Sequence, residues 1–293
     1  MWAAGTTDST RRSRGEVLSS LWGKPVGAPG ADSPSSIAAL SRRDLVLIAT
    51  CLVLITALAW SDLVYLDRQM AAAMAHERMM ADMGMTMDMP WHAADVVFAF
   101  AMWAVMMVGM MTPSAAPVML LFAAIHRGRG GQRPPRVVLA FGAGYLLVWT
   151  AFSGVAAVAQ WGLHQAAMLS PAMATSSARL GGAILIAAGV YQLTPFKGAC
   201  LAHCRSPLGF LMSHWRDGTA GALRMGITHG TYCLGCCWAL MGILFVVGVM
   251  NLAWVAAMTI FVLVEKLGPA GAFVARVAGV AMIAAGTLVC ANL

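Results

Sequence analysis

The feature that most constrains this chain is a series of apolar runs, each close to the roughly 20 residues that an α-helix needs to cross a hydrocarbon layer. Seven such runs are legible: Asp44 to Leu66, Ala94 to Ile125, Val137 to Leu163, Ala178 to Thr194, Ile227 to Met250, Leu252 to Glu265 and Ala272 to Ala291. With only 19 Lys and Arg and 12 Asp and Glu among 293 residues, the chain has too little charge to solvate a globular surface. A water-soluble domain is therefore excluded, and the expected fold is all-α, a polytopic transmembrane helix bundle of about seven spans. The formal charge of +7 does not indicate nucleic acid, because the basic residues lie between apolar runs and not on one solvated face.

Residues 1–40 are rich in Ser, Gly, Ala, Pro and Arg and carry no apolar period, so they read as a disordered cytoplasmic tail. Residues 41–293 read as a single transmembrane domain, with a Met-rich outer loop at 67–93 and basic inner loops at 127–136 and 197–224. The first apolar run lacks a small-residue cleavage site and is expected to be retained as a helix. The second holds Pro113 and Pro117, which predict a kink or break facing the bundle interior. A cytoplasmic amino terminus puts sixteen of the 19 Lys and Arg inside and leaves Arg68, Arg78 and Arg179 outside. That bias predicts seven spans with the carboxyl terminus outside.

An internal repeat is also visible. Residues 178–189, ARLGGAILIAAG, match 275–286, ARVAGVAMIAAG, at seven of twelve positions, and Trp103-Ala-Val-Met106 echoes Trp238-Ala-Leu-Met241. Three-helix units related in this way must have opposite orientations, the plan of a 3+3 inverted repeat after an amino-terminal helix. Chance likeness between small-residue packing helices is the competing explanation.

The chemistry-bearing residues fall into two groups. Thirteen of the 23 Met lie between Met70 and Met111, and Met83, Met85, Met87 and Met89 alternate with Gly, Thr and Asp in what is expected to be aqueous loop. A thioether gains nothing from water, but it is a soft, never-protonated ligand suited to Cu(I) outside the cytoplasm. His76 and His92 would add imidazoles. Met106 and Met110 continue the pattern on a stripe with Trp103, Met107 and Met111. Plain core packing and adaptable filler are the alternatives for these Met.

The second group is expected at the cytoplasmic side: Cys200, His203 and Cys204 just after the fourth span, and His229, Cys233, Cys236 and Cys237 opening the fifth. On a helix the last four share one face. Thiolate and imidazole suit Cu(I), zinc or iron, and the outer thioethers favour copper. Cys51 and Cys290, being isolated, read as small buried residues. Glu265 and Lys266 read as an ion pair snorkelling to the interface, and His214 reads as solvated, with a spare-ligand role as the alternative. No Walker loop, nucleophile elbow or dinucleotide fingerprint is present, so no enzymatic activity is expected.

The segments Tyr191-Gln-Leu-Thr-Pro-Phe-Lys197, Cys200-Leu-Ala-His-Cys-Arg-Ser-Pro207, His214-Trp-Arg216 and Gly230-Thr-Tyr-Cys-Leu-Gly-Cys-Cys-Trp-Ala-Leu-Met241, with Glu265-Lys266 and Met110-Met-Thr-Pro-Ser114, resemble a bacterial family of predicted metal-binding integral membrane proteins. The resemblance runs from about Trp91 onward. It implies metal binding in a bacterial cytoplasmic membrane, at Cys200, Cys204, Cys233, Cys236 and Cys237, and supplies neither the metal nor a reaction. The residues support transport of Cu(I) or its delivery to a membrane or periplasmic metalloenzyme, with a metallochaperone or that enzyme as partner. A membrane thiol-redox carrier using the same cysteines and an accessory subunit of a larger membrane complex are the other readings.

Overall fold

A computed structural model describes residues 41–83, 91–130, 134–166, 168 and 175–291. Among them regular structure is entirely helical: α1 (Arg42–Asp82), α2 (Ala93–Gly128), α3 (Pro134–Gln165), α4 (Ala178–Gln192), α5 (Pro195–Arg205), α6 (Pro207–His214), α7 (Gly218–Gly242), α8 (Leu244–Val247), α9 (Leu252–Leu267) and α10 (Gly271–Ala291). The expected tail at 1–40 and Met85, Met87 and Met89 lie outside the described residues.

Among the described residues five helices are long and apolar enough to cross a bilayer, or six if α4 and α5, bent by 64° at the break between them, form one span. The predicted count of about seven is not confirmed by this measure. The shortfall lies in α9, whose 16 residues extend only about 24 Å at ~1.5 Å per residue. Two other predictions need correction. The first helix does not end near Leu66 but runs on to Asp82, so much of the expected Met-rich loop is helical, because Ala, Met, Glu and Arg are strong helix formers. The segment 197–224, expected as a loop, contains α5, α6 and the first turns of α7. Thr194 and Pro195 start α5, the threonine hydroxyl accepting from the Lys197 amide at 3.3 Å.

Helix α2 forms the axis of the core. Trp103, Met106, Met107, Met110 and Met111 are all at most 1% exposed, so the predicted stripe faces inward along its whole length. Both prolines are accommodated without a break. Pro113 cannot donate to the Gly109 carbonyl one turn earlier. The Trp60 indole of α1 donates to that carbonyl instead, at 3.3 Å. Trp103 is held separately, its indole donating to Gln160 Oε1 of α3 at 2.7 Å. Trp60→Phe keeps the ring but removes the donor, and is expected to lower stability by roughly 1–2 kcal/mol, read as an earlier midpoint in a denaturing-detergent titration.

Glycines set how the remaining helices pack. Alpha-3 and α7 run parallel: Gly226 sits on the Phe141 carbonyl, Gly144 on the Leu223 carbonyl, and Gly230 beside Tyr145 and Val148. Helices α4 and α10 run antiparallel, with Gly182 opposite Gly286 and Gly189 opposite Gly279. The pairing joins the two stretches that match in sequence. Gly182 aligns with Gly279 and Gly189 with Gly286, so exchanging the helices maps one close contact onto the other.

Candidate metal site

The bend between α4 and α5 turns one face of α5 towards α7. Lys197, Cys200, Leu201 and Cys204 recur at helical spacing on that face, and the first three are buried. Opposite them, Cys233, Cys236 and Cys237 of α7 are each about 1% exposed. The two helices approach closely at Gly235, where an added Cβ would lie 2.9 Å from Cys200 Sγ, and Tyr191 donates its hydroxyl to the Gly235 carbonyl. Any larger residue at 235 would displace Cys200.

The sulfurs converge. Cys204 Sγ lies 4.0 Å from Cys236 Sγ, while Cys236 and Cys237 donate their thiols to the Cys233 carbonyl at 3.1 and 2.9 Å. Cys233 Sγ is contacted by Tyr145 Oη at 3.0 Å and receives a hydrogen bond from Lys266 Nζ at 2.9 Å. Tyr145 also donates to the Met111 carbonyl at 3.1 Å, and Lys266 to Ser114 Oγ at 3.2 Å. The thiol cluster thus touches the lower end of the methionine stripe. All seven cysteines are free thiols. Among the described residues no three His, Cys, Asp or Glu side chains are arranged to close on one ion. Two of the sulfurs, Cys204 and Cys236, do lie 4.0 Å apart.

A buried ionic frame supports this cluster. Lys197, Glu265 and Lys266 are 1%, 1% and 5% exposed. Glu265 and Lys266 therefore do not pair at an interface, as the sequence suggested; they point to different partners. Lys197 Nζ reaches both Glu265 carboxylate oxygens at 2.9 Å, and the Gln192 side chain bonds to both Lys197 and Glu265. Arg205 donates to the Glu265 carbonyl at 2.7 Å and the Pro269 carbonyl at 3.2 Å. The consecutive residues Glu265 and Lys266 thereby hold the two cysteine helices at once, α5 through Lys197 and α7 through Cys233.

The predicted residues distribute unevenly around this centre. Cys200, Cys204, Cys233, Cys236 and Cys237 come together. His229, 3% exposed, lies one turn before Cys233 among the rings of Phe141, Tyr145 and Phe210, and its Nδ1 has no hydrogen-bond partner among the described residues. His203 is turned aside: its ring stacks on Tyr232 at 4.2 Å and its Nδ1 meets the Ala199 carbonyl. His214 packs in the same ring cluster, 6.4 Å from His203, and is not simply solvated. Met106 and Met110 are core residues at 1% and 0% exposure. Met83, 54% exposed, and the exposed His76 and His92 lie far along the chain from the thiols, with His92 opening α2 by donating its backbone N–H to Asp95 Oδ2 at 2.7 Å. Sequence reading missed Tyr145, although a single phenol within an apolar run is a legible signal. It also missed Lys197 and Gln192, whose roles depend on the α4–α5 bend.

Among the described residues the fold is thus a helical bundle around a buried thiol cluster, with several helices long and apolar enough to cross a bilayer. Residues 100–289 match the family model described as PpoB2, copper chaperone. The chain belongs to that family. No curated protein and no solved structure matches it.

Proposed function

We propose that this protein is an integral membrane copper chaperone that receives Cu(I) at thioethers on the outer side and presents it, at the buried thiol cluster, for transfer to a copper protein. The amino terminus is then cytoplasmic and the carboxyl terminus outside, as the Lys and Arg distribution favours. Met83, Met85, Met87, Met89, His76 and His92 would capture the ion, and Met106 and Met110 would line its way inward. Cys204 and Cys236 would hold it, with Cys200, Cys233, Cys237 and His229 as exchange ligands and His203 at the margin.

The observation that carries this reading is the Cys204–Cys236 sulfur pair at 4.0 Å. Two metal–sulfur bonds of roughly 2.3 Å span about 4.6 Å, so a bent two-sulfur site needs little movement. Cu(I) accepts two thiolates, whereas a structural zinc site takes four ligands. An ion held by two sulfurs remains open to attack by a third, and Cys233 and Cys237 lie within one turn of Cys236. Such exchange is what a chaperone requires. Lys266 beside Cys233 provides a positive charge to offset thiolates in a low-dielectric interior.

Purified protein under reducing, copper-replete conditions is expected to retain copper, and Cys233→Ser with Cys236→Ser to lower its stoichiometry by about one ion per chain. A metal-free wild-type protein would sink the reading. The proximity of the same two sulfurs also favours a thiol-redox carrier as second reading, because modest side-chain rotation would let them bond. Alkylation trapping in cells separates the two: a redox carrier shows a mixed oxidised and reduced population, whereas a Cu(I) site is protected only by metal.

A further inference from the structure

Away from the thiols, the second half of α1 and the start of α2 enclose a cavity of about 570 Å³. Its wall includes Met70, Met102 and Met250 together with Asp62, Asp95 and Gln160. Met70 and Met250 also line an adjoining cavity of about 360 Å³, which adds Met74 and Asp67. Four thioethers from α1, α2 and the turn before α9 therefore surround one void system. None of them belongs to the alternating run at 83–89, and Met250 lies far from the methionine-rich region of the sequence.

Two properties of this void select its occupant. Thioethers make poor hydrogen-bond acceptors but good ligands for soft monocations. Asp62 and Asp95 add negative charge at the rim of the void, Asp62 exposed and Asp95 partly exposed and accepting from the His92 amide at 2.7 Å, so the local field favours a cation over a hydrocarbon chain. The void also has an onward connection, since Met102, Met106 and Met110 follow one another at single-turn spacing down α2. Met106 and Met110 are fully enclosed, and the next residue, Met111, is hydrogen-bonded through its carbonyl to Tyr145, which touches Cys233.

We infer that this cavity is a loading site for a soft monovalent ion, Cu(I), with Met70, Met102 and Met250 as its thioether ligands and Asp62 and Asp95 supplying the negative field. The site rests on the proposed chaperone function and locates where the ion first leaves water. Transfer inward exchanges one neutral thioether for the next, so no proton moves until the ion reaches the thiols. Leu matches Met closely in volume, so Met→Leu removes the ligand and largely preserves packing.

The test uses full-length detergent-solubilised protein and Ag(I), a soft monocation that does not cycle redox state. A variant with the five clustered cysteines replaced by Ser is expected to bind Ag(I), and adding M70L, M102L and M250L to lower its stoichiometry by one ion per chain. An unchanged stoichiometry in the triple Leu variant, or no Ag(I) bound by the cysteine-free chain, overturns the inference. Should the five-Ser chain fail to fold, the triple Leu change in the wild-type background serves: stoichiometry falls by one while sulfur of thiolate type remains in the absorption spectrum. An unchanged stoichiometry there overturns the inference. Loss of copper in Cys233→Ser with Cys236→Ser reports separately on the thiol cluster, so the two sites fail independently.

Discussion

Glu265→Ala is expected to destabilise the protein by roughly 3–5 kcal/mol, seen as an unfolding midpoint at much lower denaturing-detergent concentration. The reason is the partner left behind. Lys197 is 1% exposed and both of its strong contacts run to Glu265, with Gln192 bridging the two. Removing the carboxylate strands a buried ammonium, and the least costly response is for α5 to swing out and rehydrate it. That movement carries Cys200 and Cys204 with it. Maleimide labelling of Cys204 should therefore accelerate, whereas Cys233, held on α7 by Tyr145 and Lys266, should remain protected. Lys197→Met combined with Glu265→Leu supplies the decisive comparison. Replacing both charges by apolar groups removes the stranded ion, so stability is expected to return close to wild type. If the double variant is as unstable as the single one, the damage comes from lost packing and the ionic frame is not what fixes α5.

How much of this was legible beforehand follows from which forces are local. Helix positions were, because hydropathy and proline or glycine punctuation act within a few residues; the runs predicted at Ala94 to Ile125 and Val137 to Leu163 correspond to α2 and α3 within a few residues at each end. The inward-facing methionine stripe followed from period alone. The extension of α1 to Asp82 was hidden because apolar content falls after Leu66 while helix propensity does not. The two proline positions predicted a disturbed helix, but the outcome turned on Trp60, 49 residues upstream of Gly109, and no local pattern announces such a donor. The site divides similarly. Clustered cysteines were legible as a group. The opposed roles of Glu265 and Lys266 were not, since consecutive residues point to different partners only once the 64° bend has placed α5. His203 and Cys204 are neighbours in sequence, yet the thiol meets Cys236 while the imidazole stacks on Tyr232, a distinction that helical rotation imposes.

Gly226→Ala is the substitution expected to affect the protein most through backbone geometry. The added Cβ would collide with the Phe141 carbonyl and lie within 3.1 Å of Phe141 Cα, backbone atoms that cannot rotate away. Gly144 meets the Leu223 carbonyl in the same way, so the α3–α7 contact consists of two backbones in reciprocal touch. One methyl group must therefore push the helices apart. Overpacking of this kind costs typically about 1–3 kcal/mol and more where backbone must move, and Gly144→Ala is expected to match it. Combining the two should cost less than their sum, because the first substitution already opens the interface for the second. The functional consequence follows from what spans that interface. Tyr145 on α3 contacts Cys233 on α7 at 3.0 Å, and separating the helices lengthens that contact before anything else at the site. Copper retention should therefore weaken in Gly226→Ala even at temperatures where the protein remains folded. Gly198→Ala on α5 is the control, since a Cβ there meets nothing within 4 Å and alanine is the better helix former. It is expected to leave copper binding unchanged and to raise stability slightly. Equal losses at 198 and 226 would mean that the glycines matter for flexibility and not for close approach.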